Sequence, residues 1–279
     1  MMKRIRTALC LILAAALLAG CAFLPSESEP ETLAPADPLT GHPLEWPGQR
    51  PVAVTIENST ASATQWGISS ASVVLEALTE AGMATELCLV YPALAATPKV
   101  GPVAAGQDIY WRLLVGQQPL PVQRGGGQFD QNYLDYYSIR AVDALEAGRT
   151  AFDCGSEWSN APLWYTSGSA VSKVLDALSI SAVLTESRVT SAASAAAASA
   201  SSGSDAVLTV PALLPQKEDG KLPDATAPDA VNVRVCFDDN NATDFAYDPD
   251  SGLYRMLHAD GTPQLDANNG QQAGFDNLL

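Results

Sequence analysis

The chain has 279 residues, 15 basic against 31 acidic, a formal net charge of −16 and only 7% aromatic residues. So acidic a surface repels phosphate backbones and anionic head groups, which argues against nucleic acid as a partner. Two histidines, no Cys-x-x-Cys and no nucleotide-binding fingerprint leave no cofactor or zinc site to expect.

The first twenty residues have the parts of an export signal. Lys3, Arg4 and Arg6 make a positive start, residues 8–16 an uncharged apolar run, and Leu17-Leu18-Ala19-Gly20-Cys21 a small-residue cleavage site. The run is shorter than the roughly 20 apolar residues that cross a bilayer core. The ending resembles the site cut by lipoprotein signal peptidases, so Cys21 is expected to carry the lipid. That places the mature chain on the extracytoplasmic face of the cell membrane, held there at about 0.8 kcal/mol per buried methylene. The competing reading is an ordinary signal peptide with an incidental cysteine. Cleavage leaves 12 basic residues against 31 acidic ones, a net charge of −19. Residues 21–37, rich in Pro, Glu, Ser and Ala, read as a flexible tether.

Beyond the tether the composition marks a first portion (38–185), an Ala/Ser-rich linker (186–205) and a second portion (206–279). In the first portion, Pro51-Val52-Ala53-Val54-Thr55-Ile56 is a short apolar strand. Residues 72–78 and 87–91 flank Glu80-Ala81-Gly82-Met83 as a hairpin, although propensity also allows a helix over 69–79. Residues 107–115 and 169–179 read as helices, the latter opening at a serine cap with Val171, Val174, Leu175 and Leu178 on one face. The second portion is all strand: Val231, Val233, Val235 and Phe237 alternate with polar residues, the pattern of a half-buried strand. Asp248-Pro249-Asp250-Ser251-Gly252 and Asp260-Gly261 are turn signals. The fold class is α+β: a mixed-sheet domain with helices and a smaller, mostly antiparallel β portion. Of the cysteines left in the mature chain besides Cys21, Cys88 and Cys236 fall in strand-like runs and are expected to be small buried apolar residues. With Cys154 they make an odd set that allows one bridge at most.

Several motifs in fixed order carry a resemblance: Pro38-Leu39-Thr40-Gly41, the run from Arg50 to Asn58, Gln65-Trp66-Gly67-Ile68-Ser69-Ser70-Ala71, Lys99-Val100-Gly101-Pro102-Val103, and residues 247–255. In these the chain resembles the YerB-type lipoproteins of the domain-of-unknown-function family 3048. The resemblance spans nearly everything after the tether, supports the hairpin over the helix, and implies a two-part α+β extracytoplasmic lipoprotein with no known reaction. Departures are as informative. Family members typically carry Arg-Ser-x-Arg after Gly-Pro-Val, where this chain has Ala104-Ala105-Gly106-Gln107, and often Thr-Arg where it has Thr85-Glu86. Many have a histidine near the glycine pair or in a later Ala-Pro-His-Asn; the stretches here are Gln123-Arg124-Gly125-Gly126-Gly127 and Ala161-Pro162-Leu163-Trp164. Methyl groups in place of guanidinium groups remove bidentate anion donors, so any anion binding or chemistry of the family's pocket should be impaired in this copy. The family also continues several strands beyond the position of Leu279, so the chain reads as shortened.

Each candidate site has a plainer counterpart. Gly125, Gly126 and Gly127 could offer backbone N–H groups to an anion ahead of a helix at Phe129, or simply form a tight turn. Arg124 could clamp a carboxylate, against the default of a surface arginine. Asn58 belongs to the family motif after the first strand. Glu76 and Glu80, four apart, could share a face and divide acid and base roles, or be solvated. An EF-hand template laid from Asp248 fails at Gly252 and Ala259, so the Asp/Asn-rich stretch 238–250 reads as turn chemistry. Ser167 and Ser169 have no His or Asp pattern beside them. The expectation is a non-catalytic lipoprotein binding a cell-envelope protein or wall component; the alternative is a hydrolase or transferase of envelope polymers.

Overall fold

Val52 to Ile56 is a run of β-formers without a charge, and it becomes the central strand of the larger sheet. In the computed structural model the described residues are 36–58, 65–79, 82–154, 163–185, 210–214, 230–258 and 260–279. The export signal, Cys21, the 186–205 linker and Glu80 lie outside them.

Strand β1 (Val52–Glu57) pairs antiparallel with β3 (Thr85–Tyr91), and β3 pairs antiparallel with β2 (Val73–Leu78). This is the expected hairpin; the helix permitted by propensity over 69–79 does not form. On its other side β1 runs parallel to β4 (Leu120–Gln123), which runs parallel to β5 (Val142–Asp143), giving the order β2-β3-β1-β4-β5. Helix α1 (Asp108–Leu114) lies between β3 and β4, and α2 (Gln128–Tyr136) between β4 and β5.

The strand period of two sorts the core into two layers. Ala53, Cys88 and Val90 face α1 and α2, meeting Tyr110, Trp111, Leu114, Tyr133 and Leu134. Val52, Val54, Ile56, Leu87, Leu89 and Tyr91 face the other way, meeting Val171, Val174, Leu175, Leu178 and, from the second portion, Met256 and Ala273. Covered on both faces, β1 and β3 read as near-continuous apolar runs. Arg50, at the foot of β1, is buried and donates to the carbonyl oxygens of Gln118, Pro119 and Ser181, tying β1 to the entry of β4.

After the short helix α3 (Ala144–Ala147), α4 covers only Gly168–Val171. This corrects the longer helix expected over 169–179. The cap is Ser167, whose hydroxyl accepts from Ala170 N, and the chain beyond Val171 continues as turns. Ser172 Oγ donates to Ser169 O at 2.9 Å, the serine competition with the backbone that weakens helices. The apolar face survives without a regular helix, because burial rather than propensity fixes it.

The second portion is the antiparallel sheet β11-β8-β7-β6, built from β6 (Asn232–Cys236), β7 (Ala242–Asp248), β8 (Leu253–Leu257) and β11 (Gly274–Phe275), with a small pair of β9 (Leu265–Asp266) and β10 (Gln271–Gln272). The class is α+β. The half-buried strand expected at Val231 to Phe237 is corrected in one respect: Val231 and Val235 are 53% and 38% exposed, because β6 is the sheet's edge and pairs only with β7. Cys236 on that edge is likewise exposed, not a buried apolar filler, whereas Cys88 is buried as expected; both are free thiols. No helix among the described residues is long and apolar enough to cross a membrane.

Candidate functional site

Polar side chains collect where β1, β4 and β5 end and β3 begins. The crevice between β1 and β4 at the carboxyl ends of parallel strands is where open sheets usually bind ligands. Here the chain's own segment fills it: Ala104 N donates to Thr55 O, Arg124 N donates to Ala104 O, and Gly106 N donates to Gly125 O. The rim of that plug is the candidate site.

Asn58 Nδ2 donates to Glu76 Oε1 and to Thr85 Oγ1, both at 2.9 Å. The same Glu76 oxygen accepts from Thr243 Oγ1 at 2.7 Å, a link from β2 to β7 of the second sheet. Burial raises the Glu76 carboxyl above its ordinary value, partly offset by hydrogen bonds from Thr243, Thr85 and Asn58. Two of the expected residues, Asn58 and Glu76, therefore meet. Glu76 is half-buried rather than solvated, and its proposed partner Glu80 lies outside the described residues.

The fold builds a different acidic pair. Glu57 and Glu86 are direct partners in the β1–β3 register, both on the α1 side of the sheet. Among the described residues neither has an ion-pair partner. Gln107 Nε2 donates to Glu86 Oε2 at 3.0 Å, and Tyr110 OH donates to the Glu86 carbonyl at 2.5 Å. Burial pushes the Glu86 carboxyl up to about 7; the Gln107 hydrogen bond opposes this and the Glu57 charge adds to it. Sequence reading missed this pair because it depends on register. The signal present was the departure at Thr85-Glu86 from the Thr-Arg that the resemblance often implies there.

Gly125, Gly126 and Gly127 form a structural turn. Gly125 N donates to both Asp143 oxygens at 3.0 Å, so the protein's own carboxylate takes the place an external anion would need. Gly126 must lack a side chain: a Cβ there would lie 1.9 Å from Asp130 Oδ2. Asp130, fully buried, accepts from Trp111 Nε1 at 2.5 Å and Gln123 Nε2 at 2.9 Å, pinning α1, β4 and α2 together. Arg124 corrects its expectation as a surface arginine. It is half-buried, its Nε is enclosed without a hydrogen-bond partner among the described residues, and its guanidinium stands 5.8 Å over the Trp164 ring.

The Gln65 to Ser69 motif serves as a dock. Asp266, on β9, accepts from Gly67 N, Ser69 N and Ser69 Oγ at 3.0, 2.9 and 2.6 Å, and Gln264 Nε2 donates to Gln65 Oε1. Gly67 adopts φ 101°, and a Cβ would meet the Tyr91 hydroxyl at 2.5 Å. Burial raises the Asp266 carboxyl, but the hydrogen bonds from Ser69, Asn268 and Gly67 outweigh it and hold it below the ordinary value. In the Asp/Asn-rich stretch, Asp238 accepts from Asn240 N and Asn241 N as a turn, and Asp248 pairs with Arg255. Ser167 Oγ and Ser169 Oγ contact each other at 3.1 Å. No group of three or more His, Cys, Asp or Glu among the described residues could hold a metal ion.

No curated protein is similar to this chain. The crystal structure of the YerB protein from Bacillus subtilis is similar in fold, with a TM-score of 0.65 and 23% identity over 86% of this chain and 72% of that one. The family described as "Protein of unknown function (DUF3048) N-terminal domain" matches residues 39–181, which hold the larger sheet, α1, α2 and the Gln65–Ser69 dock. The chain is a member of the DUF3048 family.

Proposed function

We propose that this protein is a membrane-anchored extracytoplasmic lipoprotein, held by a lipid on Cys21, that binds a cell-envelope protein or wall component without transforming it. The observation that carries this reading is the position of Cys21 directly after Leu17-Leu18-Ala19-Gly20, behind a charged start and an apolar run. The tether lets the folded part stand off the membrane. The rim at the carboxyl end of the sheet is the binding surface: Asn58, Glu76 and Thr85 are bound to one another, a preorganised polar face rather than a set of mobile reactive groups.

A hydrolase or transferase of envelope polymers is the second reading. One observation favours it: a carboxyl held protonated to about 7 stands opposite a second carboxylate, as in acid–base pairs. Incubation of the full-length chain with muropeptides and ester substrates separates the two. Retention of muropeptides without turnover supports binding. Turnover that Glu86→Gln abolishes makes the protein an enzyme, and neither retention nor turnover removes the wall as ligand and leaves a protein partner.

A further inference from the structure

Lys99 holds its ammonium nitrogen 3.7 Å from the centroid of the Trp66 ring and 4.6 Å from that of Tyr165. The two rings meet edge to face, with centroids 6.4 Å apart and planes at 76°. The protein has 31 acidic residues, yet among the described residues no carboxylate lies within ion-pair distance of this lysine. The cation rests on π faces instead.

The rings are the fixed part of this arrangement and the cation the movable part. Trp66 exchanges two backbone hydrogen bonds with Gly101, at 2.7 and 3.2 Å, and Tyr165 exchanges two with Asp153, at 2.7 and 2.8 Å. Asn268 Nδ2 fixes the Lys99 carbonyl at 2.9 Å, but the lysine side chain is exposed on a flexible four-carbon stem. Rotating that stem outward uncovers two aromatic faces set for a cation. The Glu57 carboxylate is close enough to add to the effect of burial in raising the Tyr165 hydroxyl, so the local field also favours positive charge.

We propose that Trp66 and Tyr165 form a recognition site for an organic ammonium group of a cell-envelope component, which Lys99 occupies as an intramolecular stand-in. The ring quadrupole attracts any cation, and paired rings suit quaternary ammonium groups, which shed water more easily than a lysine ammonium. This assignment rests on the binding reading above, whose ligand class it narrows.

The test is a titration of the full-length chain, in a neutral detergent, with tetramethylammonium chloride. The readout is the Trp66 indole N–H resonance, assigned by its loss in Trp66→Phe. Lys99→Ala removes the competitor from an exposed position and should bind the probe about tenfold tighter than the native chain. Adding Tyr165→Ala to that variant should abolish saturation, whereas adding Tyr165→Phe should retain it. The uncharged isostere 2,2-dimethylpropan-1-ol should give no saturable shift. Identical curves for the native chain and Lys99→Ala, no saturation in either, or equal shifts with the isostere would overturn the proposal. Muropeptide retention reports separately on the wall as ligand, so failure of the ammonium site and failure of the binding reading are distinguishable.

Discussion

The two sheets of this protein each hold a strand region with large apolar residues at every second position, and the two regions end in opposite environments. In β1, Val52, Val54 and Ile56 are fully buried, as are Ala53 and Thr55 between them. In β6, Val235 stands 38% exposed, and Val231 just ahead of it 53%. What separates them is cover: β1 has strands on both sides and a layer on each face, while β6 has one strand beside it. A strand pattern reports which residues share a face; the tertiary neighbours decide whether that face is dry.

The comparison breaks most visibly in the core. Leu89→Ala in β3 should cost about 2–5 kcal/mol in denaturant unfolding, against less than about 0.5 for Val235→Ala on β6. A comparable loss at both positions would show that the second sheet has cover not described above.

Next in size is the clamp that joins the portions. Asp266→Ala leaves the Gly67 and Ser69 donors without their acceptor and should cost about 1–3 kcal/mol. Because this carboxyl is held below its ordinary value, its contribution is present above about pH 4 and is lost as pH falls through the folded value. Thermal melts of Asp266→Asn should show a flatter acid limb than the native chain.

Glu86 has the opposite sign. With its carboxyl raised to about 7, the folded state binds the extra proton, so stability falls as pH rises from about 4.5 to 7 and is level above that. Glu86→Gln should remove this slope and stabilise the protein at pH 8 by about 1–2 kcal/mol. A native melt independent of pH across that window would contradict a Glu86 carboxyl raised by its burial.

The smallest effect is chemical. A maleimide should modify Cys236 in the native state with little change in stability. Cys88, buried and with its thiol pushed up by that burial, should react only on unfolding, which mass spectrometry of peptides can follow.

Much of the fold was legible in local pattern. The apolar run at Val52, the helix near Gln107 and the Asp248 turn each follow from period, propensity or turn chemistry within a dozen residues, whereas local pattern left the hairpin about Gly82 open against a helix and only the family resemblance favoured it. The site was legible only in part. Asn58 and Glu76 were nominated singly, but their contact, and the Glu57–Glu86 pairing, need the strand register, which no local window contains. The Asp266 clamp joins positions 197 residues apart. Arg124 looked like a surface charge because nothing in its neighbours' identities announces the enclosure of its Nε. Cys236 misled for the converse reason: the strand around it was read correctly, but an edge looks like an interior strand in sequence.

The proposed compartment and partners both depend on the lipid attachment proposed at Cys21. Mass spectrometry of the protein purified from its own membranes tests it directly. The account predicts a mature chain beginning at Cys21, its sulfur thioether-linked to diacylglycerol. An unacylated Cys21, or a chain still carrying residues 1–20, would contradict it.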